Sequence, residues 1–216
     1  MPIKRLKREY HTDPFKNSFL TCYNYKNQHL PIDEITIAAF DPGVVNTGFR
    51  VEKRYKDSDG NDRIESVLQK LIISDSKSNS THFYINMKNE IYNVKEELKK
   101  CDYILVESQM HNNPQATRMC QHIISTLLTV VDDSKTLVIE ILPTVKSRSF
   151  GIKGIKGKEL KKWAVEKATK MLEERNDEIG SELVKKSKKK DDQCDVILYC
   201  DSWARFLKCK EFKDTE

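Results

Sequence analysis

Glycine and proline are scarce, at 7 and 6 of 216 residues. That excludes collagen-like chains and Gly/Ser linkers. No run of about 18 or more apolar residues occurs, so no membrane span is expected. The opening MPIKRLKREYHTDPF lacks the apolar stretch of a secretory signal, and the chain is expected to be intracellular. Six cysteines, at 22, 101, 120, 194, 200 and 209, form no C-x-x-C pair and no Cys/His zinc spacing. Inside a cell they are expected to be thiols. Hydrophobic residues make up 38% and charged residues 33%. The first value is low and the second high, but neither is that of a disordered chain. The length suits one domain with extensions.

The net charge of +5 is mild, and its distribution is more telling than its size. Lysine or arginine occupies 146, 148, 153, 156, 158, 161, 162, 167 and 170, against glutamates at 159 and 166. Residues 185–190 are lysines apart from Ser187, and Lys4, Arg5, Lys7 and Arg8 form a third cluster. Basic charge gathered in segments suggests a polyanionic partner, although a charge run alone equally describes a solvated face.

Residues 1–33 read as a basic, irregular N-terminal extension, followed by one domain over 34–210. ITIAAFD (35–41) is a short apolar run closed by Pro-Gly, which predicts a buried strand. Further strands are predicted at 48–54, 64–73, 102–107 and 136–142, with DSDGND (57–62) as a hairpin connection. Apolar spacing predicts helices over 83–98, 114–131, 158–175 and 191–207. Residues 144–157 read as a basic, glycine-containing loop and 176–190 as a charged loop. The order β-β-β-α-β-α-β-α-α predicts an α/β fold, a five-stranded mixed sheet with helices on both faces.

Asp41 closes the first predicted strand and Glu107 the fourth. Functional side chains of α/β sheets gather at such strand ends. DDQCD (191–195) opens the last helix, where Asp192 and Asp195 share a face at i,i+3 and Asp191 and Asp195 at i,i+4. Each acid alone is unremarkable: a turn, a surface acid, a helix cap. Four acids converging on one cleft would repel one another, and a divalent cation relieves that. Oxygen-only ligands favour Mg²⁺ or Mn²⁺ over zinc. Two such ions suit phosphodiester cleavage, and the basic segments suit phosphate.

These residues also carry a family resemblance. The strand ending in Asp-Pro-Gly with N-x-G behind it (35–48) resembles the first motif of RuvC-type Holliday-junction resolvases. YILVES (103–108) followed by Gln109 is similar to their second motif, and PTVKSRSFGIKGIKGK (143–158) to the basic loop after their fifth strand. KKDDQCDVILYC (189–200) resembles their K-x-D-D-x-x-D-A close, with Val196 where alanine is usual. The wording looks nearest to resolvases of poxviruses and other large DNA viruses, and next to the yeast mitochondrial resolvase.

The resemblance spans 35–207 and implies an RNase H-like (retroviral-integrase-like) fold. It implies that Asp41, Glu107, Asp192 and Asp195 bind metal, two Mg²⁺ ions with Mn²⁺ able to substitute. Lys146 matches an active-site lysine. Lys158 is the candidate for a second, with Lys153 and Lys156 near enough to take its place. Lys153, Lys156, Lys158, Lys189 and Lys190 are the expected phosphate contacts. A homodimer nicking a four-way junction symmetrically and leaving 5′-phosphates is implied, with no small-molecule cofactor and no membrane partner. A poxviral source would place it in the host cytoplasm.

Other nucleases of this fold, acting on flaps, hybrids or replication intermediates, would keep the same acids. An actin/Hsp70-like ATP-binding protein would also open with Asp-x-Gly after a strand, but needs two related domains and a longer chain. A non-catalytic DNA-binding module would have no need of all four acids.

Overall fold

The computed structural model describes residues 19–23, 34–73, 80–110, 112–132 and 134–214. One sheet contains β1 (Phe19–Cys22), β2 (Glu34–Asp41), β3 (Asn46–Lys56), β4 (Asp62–Ile73), β5 (Tyr103–Glu107) and β6 (Leu137–Ile141). Its order is β1-β6-β5-β2-β3-β4. β2, β5 and β6 run parallel, and β3, β4 and β1 are antiparallel additions. The five expected strands are all present, with ends shifted by a residue or two.

The sixth strand, β1, lies in the segment expected to be irregular. Four residues, FLTC, are too few to show an alternation. What defines β1 is the edge of β6, whose backbone groups it pairs. Just beyond it, the Tyr23 N–H donates to the Val138 carbonyl at 3.0 Å and its hydroxyl to Glu140 at 2.8 Å. The basic cluster at 4–8 lies outside the described residues.

Helices α1 (Ser80–Asn93), α2 (Lys95–Leu98) and α3 (Pro114–Val130) follow the hairpin strands and β5. The single helix expected over 83–98 is thus two, interrupted at Val94, whose backbone leaves helical geometry. α3 begins where Asn113 accepts the Ala116 N–H at 3.3 Å, with Pro114 in the first turn, where its missing N–H costs nothing. Met87 and Ile91 of α1, with Met119, Ile123 and Leu127 of α3, cover Phe40, Phe49, Ile104 and Val106 on one face of the sheet.

The opposite face is covered by α7 (Lys190–Asp214), whose Val196, Tyr199, Cys200 and Trp203 pack on Ile37, Ala39, Leu105 and Ile141. Cover on both faces explains why β2 and β5 are nearly continuous apolar runs. α5 (Gly157–Glu174) lies outside α7, packing Ala164, Ala168 and Leu172 on Cys194, Ile197 and Leu198. A one-turn helix, α4 (Val145–Arg148), opens the basic loop.

The charged loop expected over 176–190 is instead largely helix, α6 (Glu178–Lys186). Asp177 caps it by accepting the Gly180 N–H at 2.8 Å, and its other oxygen takes the buried Arg50 guanidinium at 2.6 Å. Val184 is α6's buried apolar anchor. Of its three apolar residues, Ile179, Leu183 and Val184, only Val184 is buried, so the stripe is too short to show a helical period beside the lysine run that follows.

Among the described residues no helix is long and apolar enough to cross a membrane. The cysteines at 101, 120, 194 and 200 are free thiols.

Candidate active site

β2 and β5 are parallel and in register, with Phe40 beside Val106. Their last residues, Asp41 and Glu107, therefore reach the same end of the sheet. Alternation turns both toward the α7 face, where Ala39 and Leu105 pack. α7 meets that end with its first turns. Gly48 on β3 permits the approach, because a Cβ there would lie 2.2 Å from the Asp192 carbonyl oxygen. Gln193 then fixes the helix start. It accepts from Gln69 Nε2 at 2.8 Å and donates to the Lys70 carbonyl at 3.0 Å. Carboxylate oxygens of Asp41, Glu107 and Asp195 come within 4.8 Å of one another.

Lys146 completes the cluster from α4. Val145 buries itself in the core and its neighbour turns inward, leaving Lys146 7% exposed. Its Nζ donates to Asp195 Oδ2 and sits 5.1 Å from the centroid of the Tyr199 ring. These residues line an open cleft of about 750 Å³, together with Asp191, Asp192, Lys161, Lys189 and the Asn113–Gln115 start of α3.

Burial, then the charges of Glu107 and Asp195, hold the Asp41 carboxyl well above its ordinary range, with only partial relief from Lys146. Asp195 is pushed up to about 6 by burial and by Glu107, despite its bond to Lys146. Burial and then the neighbouring Asp191 raise Asp192. Asp191 moves the other way. Burial pushes it up, but the hydrogen bond and charge of Lys161 hold it below the usual value. For Lys146, burial opposes the charge, but Glu107, Asp195 and Asp41 outweigh it and keep the ammonium protonated.

Three carboxylates and one ammonium leave the cluster short of positive charge. Glu107 Oε2 is buried without a hydrogen-bond partner. An all-oxygen donor set with more carboxylates than ammonium groups fits a hard divalent cation such as Mg²⁺ or Mn²⁺. Asp41, Glu107 and Asp195 are placed to hold it, with Asp192 at the rim.

Of the acids singled out in the sequence, Asp41, Glu107 and Asp195 are thus brought together. Asp192 lines the cleft without joining the 4.8 Å set, and Asp191 is engaged by Lys161. Lys146 is buried among the acids. Lys153, Lys156, Lys158 and Lys190 are exposed outside the cleft lining, whereas Lys189 lies on it. Lys161, one turn beyond Lys158, is the cleft lysine that sequence reasoning passed over. The other omission is Tyr199, on α7 one turn after Asp195 and fully buried.

No protein-family model and no curated protein matches the chain. Solved structures do match. Thermus thermophilus RuvC aligns with a TM-score of 0.56 at 12% identity, covering 79% of this chain and 96% of that one. T. thermophilus RuvC in complex with a Holliday junction substrate aligns at 0.54 and 13% identity, covering 79% and 95%. The yeast mitochondrial Holliday junction resolvase Ydc2 aligns at 0.52 and 14% identity, covering 83% of each chain. At such identities the likeness is one of fold, and the fold is the RNase H-like fold of the RuvC-type resolvases.

Proposed function

We propose that this chain is a structure-selective DNA endonuclease that resolves four-way junctions by paired symmetric nicks through metal-assisted phosphodiester hydrolysis. The observation that carries the reading is the convergence of Asp41, Glu107 and Asp195 within 4.8 Å at the end of a RuvC-like sheet, with Lys146 buried beside them. Two Mg²⁺ ions held by Asp41, Glu107, Asp195 and Asp192 would supply activation of the attacking water and stabilisation of the leaving oxygen.

The chain's own groups do the rest. Lys146, held protonated among the acids, is poised to offset charge that builds on the scissile phosphate. Lys189 on the cleft, and Lys153, Lys156, Lys158 and Lys190 around it, bind backbone phosphates and orient the arms without reading bases. A junction has two-fold symmetry, so matched nicks call for a homodimer with one site per subunit. The Val-Glu-Ser wording at 106–108 and the lysines before Asp191 favour the viral branch of these enzymes.

The test is incubation with Mg²⁺ and, in parallel, a mobile four-way junction, a flap, a splayed arm and linear duplex. Paired nicks at symmetric junction positions, ending in 5′-phosphates, are expected. Asp41→Asn and Glu107→Gln should cut more than about 100-fold more slowly while still binding the junction. Equal cutting of flap and junction would replace resolvase by a broader nuclease. Wild-type protein that cuts no better than Asp41→Asn would overturn the reading.

A further inference from the structure

Directly under the acid cluster stands a side chain to which the proposed chemistry assigns no role. Tyr199 follows Asp195 by four residues on α7, so the two share a helix face. Its ring lies beneath the Lys146 ammonium, 5.1 Å from centroid to Nζ, the arrangement in which a cation is attracted to a π face. Its hydroxyl and Glu107 Oε2 are both buried, and neither makes a hydrogen bond of ordinary geometry. The hydroxyl feels Glu107 ahead of Asp195 and Asp41. Burying an unpaired polar group is unfavourable, and phenylalanine would fill the same space without that penalty. A hydroxyl retained there points to a use for its proton.

We propose that Tyr199 is a positioning residue for the acid cluster: its ring seats the Lys146 ammonium beside Asp195, and its O–H is the donor that holds one Glu107 oxygen so that the other faces the cleft. A glutamate at a strand end has a soft terminal torsion, so its two oxygens are not fixed by packing alone. A donor beneath it selects one orientation, as outer hydrogen bonds do for carboxylates that hold metals. The role rests on the metal-dependent reading above, and its test separates the two.

Tyr199→Phe keeps the ring and removes the O–H, whereas Tyr199→Leu removes both. Binding of MnCl₂ to the full chain without DNA, followed by the electron paramagnetic resonance of free Mn²⁺, reports the hydroxyl. Tyr199→Phe should bind roughly tenfold more weakly than wild type. Acetylation of Lys146 by acetic anhydride in EDTA, relative to Lys167, reports the ring. It should be unchanged in Tyr199→Phe and about threefold faster in Tyr199→Leu. Wild-type Mn²⁺ affinity in the Phe variant, or wild-type Lys146 labelling in the Leu variant, overturns the proposal. If wild-type protein binds no Mn²⁺, the hydrolytic reading fails, and the labelling decides the role of Tyr199 alone. If the Leu variant does not fold, the Phe variant decides it.

Discussion

Two buried clusters of charge lie on the α7 face of the sheet, and they are built to opposite rules. In the first, Arg50 bonds Glu52 at 2.8 Å and Asp177 at 2.6 Å. Arg54 bonds Glu52 and Asp201, while Arg175 and Arg205 also reach Asp201. All the carboxylate oxygens of Glu52, Asp177 and Asp201 have partners. Burial alone would raise Glu52, but Arg54 and Arg50 outweigh it and hold it below its usual value. Arg54, Arg175 and Arg205 likewise bring Asp201 down to about 2.

In the second cluster Asp41, Glu107 and Asp195 share one Lys146, and Asp41 and Asp195 are pushed up. The first cluster pairs every one of its carboxylate oxygens within the fold, although one Arg175 nitrogen is left without a partner, and it ties β3 to α6 and α7. The second leaves a deficit that only something from outside can meet. Buried charge by itself is therefore no mark of function here. Unbalanced buried charge, at the open end of the parallel strands, is what the proposed function rests on.

The same substitution, acid to amide, should act oppositely on stability in the two clusters. The largest effect belongs to the balanced one. Glu52→Gln leaves Arg50 and Arg54 short of a buried counter-charge, and breaking one side of such a network costs about 3–5 kcal/mol. Urea denaturation of wild type and variant at pH 7 measures it. A loss under about 1 kcal/mol would mean that water or relaxation screens the network, and the contrast would collapse.

The unbalanced cluster should respond less and with the other sign. In EDTA at pH 7, Asp41→Asn removes a carboxylate that burial and its neighbours disfavour. It should raise stability by roughly 1 kcal/mol. The gain should shrink as pH falls, because the raised wild-type Asp41 is then increasingly protonated. Asp195 adds to the pH dependence. With its folded value raised to about 6, its contribution is present below about 4 and lost as pH rises through about 6. Asp201 runs the other way, contributing above about 4 and losing its contribution as pH falls through about 2. Melting temperatures from pH 3 to 8 test both. Adding Mg²⁺ should remove the decline between pH 4 and 6 in wild type. A flat wild-type profile in EDTA would show that Lys146 already balances the site.

The unequal legibility of these clusters in sequence has physical causes. Strand ends are visible because β2 and β5 are apolar runs that stop at an acid, and parallel register then brings Asp41 and Glu107 together. The arginine network is invisible in sequence. Arg50, Glu52 and Arg54 alternate on β3 like ordinary outward-facing charges, and only α7, with Asp177 at the start of α6, covers that face and buries them. α6 is hard to see in sequence because only Val184 of its apolar residues is buried, and the Asp177–Arg50 bond shares the docking. β1 exists through the edge of β6 and not through its own four residues. Tyr199 counts as apolar by type, and its hydroxyl acquires meaning only beneath Glu107.

The finest distinction left open by sequence is between Asp191 and Asp192, adjacent acids at the start of α7 that helical spacing alone does not separate. Their surroundings do. Asp191 is bound to Lys161, whose side chain is 67% exposed, and is held below its usual value. Asp192 is raised, and Gly48 and Gln193 fix its backbone against the sheet. A partly exposed pair such as Asp191–Lys161 contributes at most about 1 kcal/mol. Asp191→Asn should therefore change stability by less than that, and should leave junction cleavage within about fivefold of wild type. Asp192→Asn should lower cleavage by far more, at unchanged junction affinity. Single-turnover rates at saturating protein separate the two. If Asp191→Asn is instead the crippled variant, Asp191 must leave Lys161 when DNA and metal bind and join the unbalanced cluster.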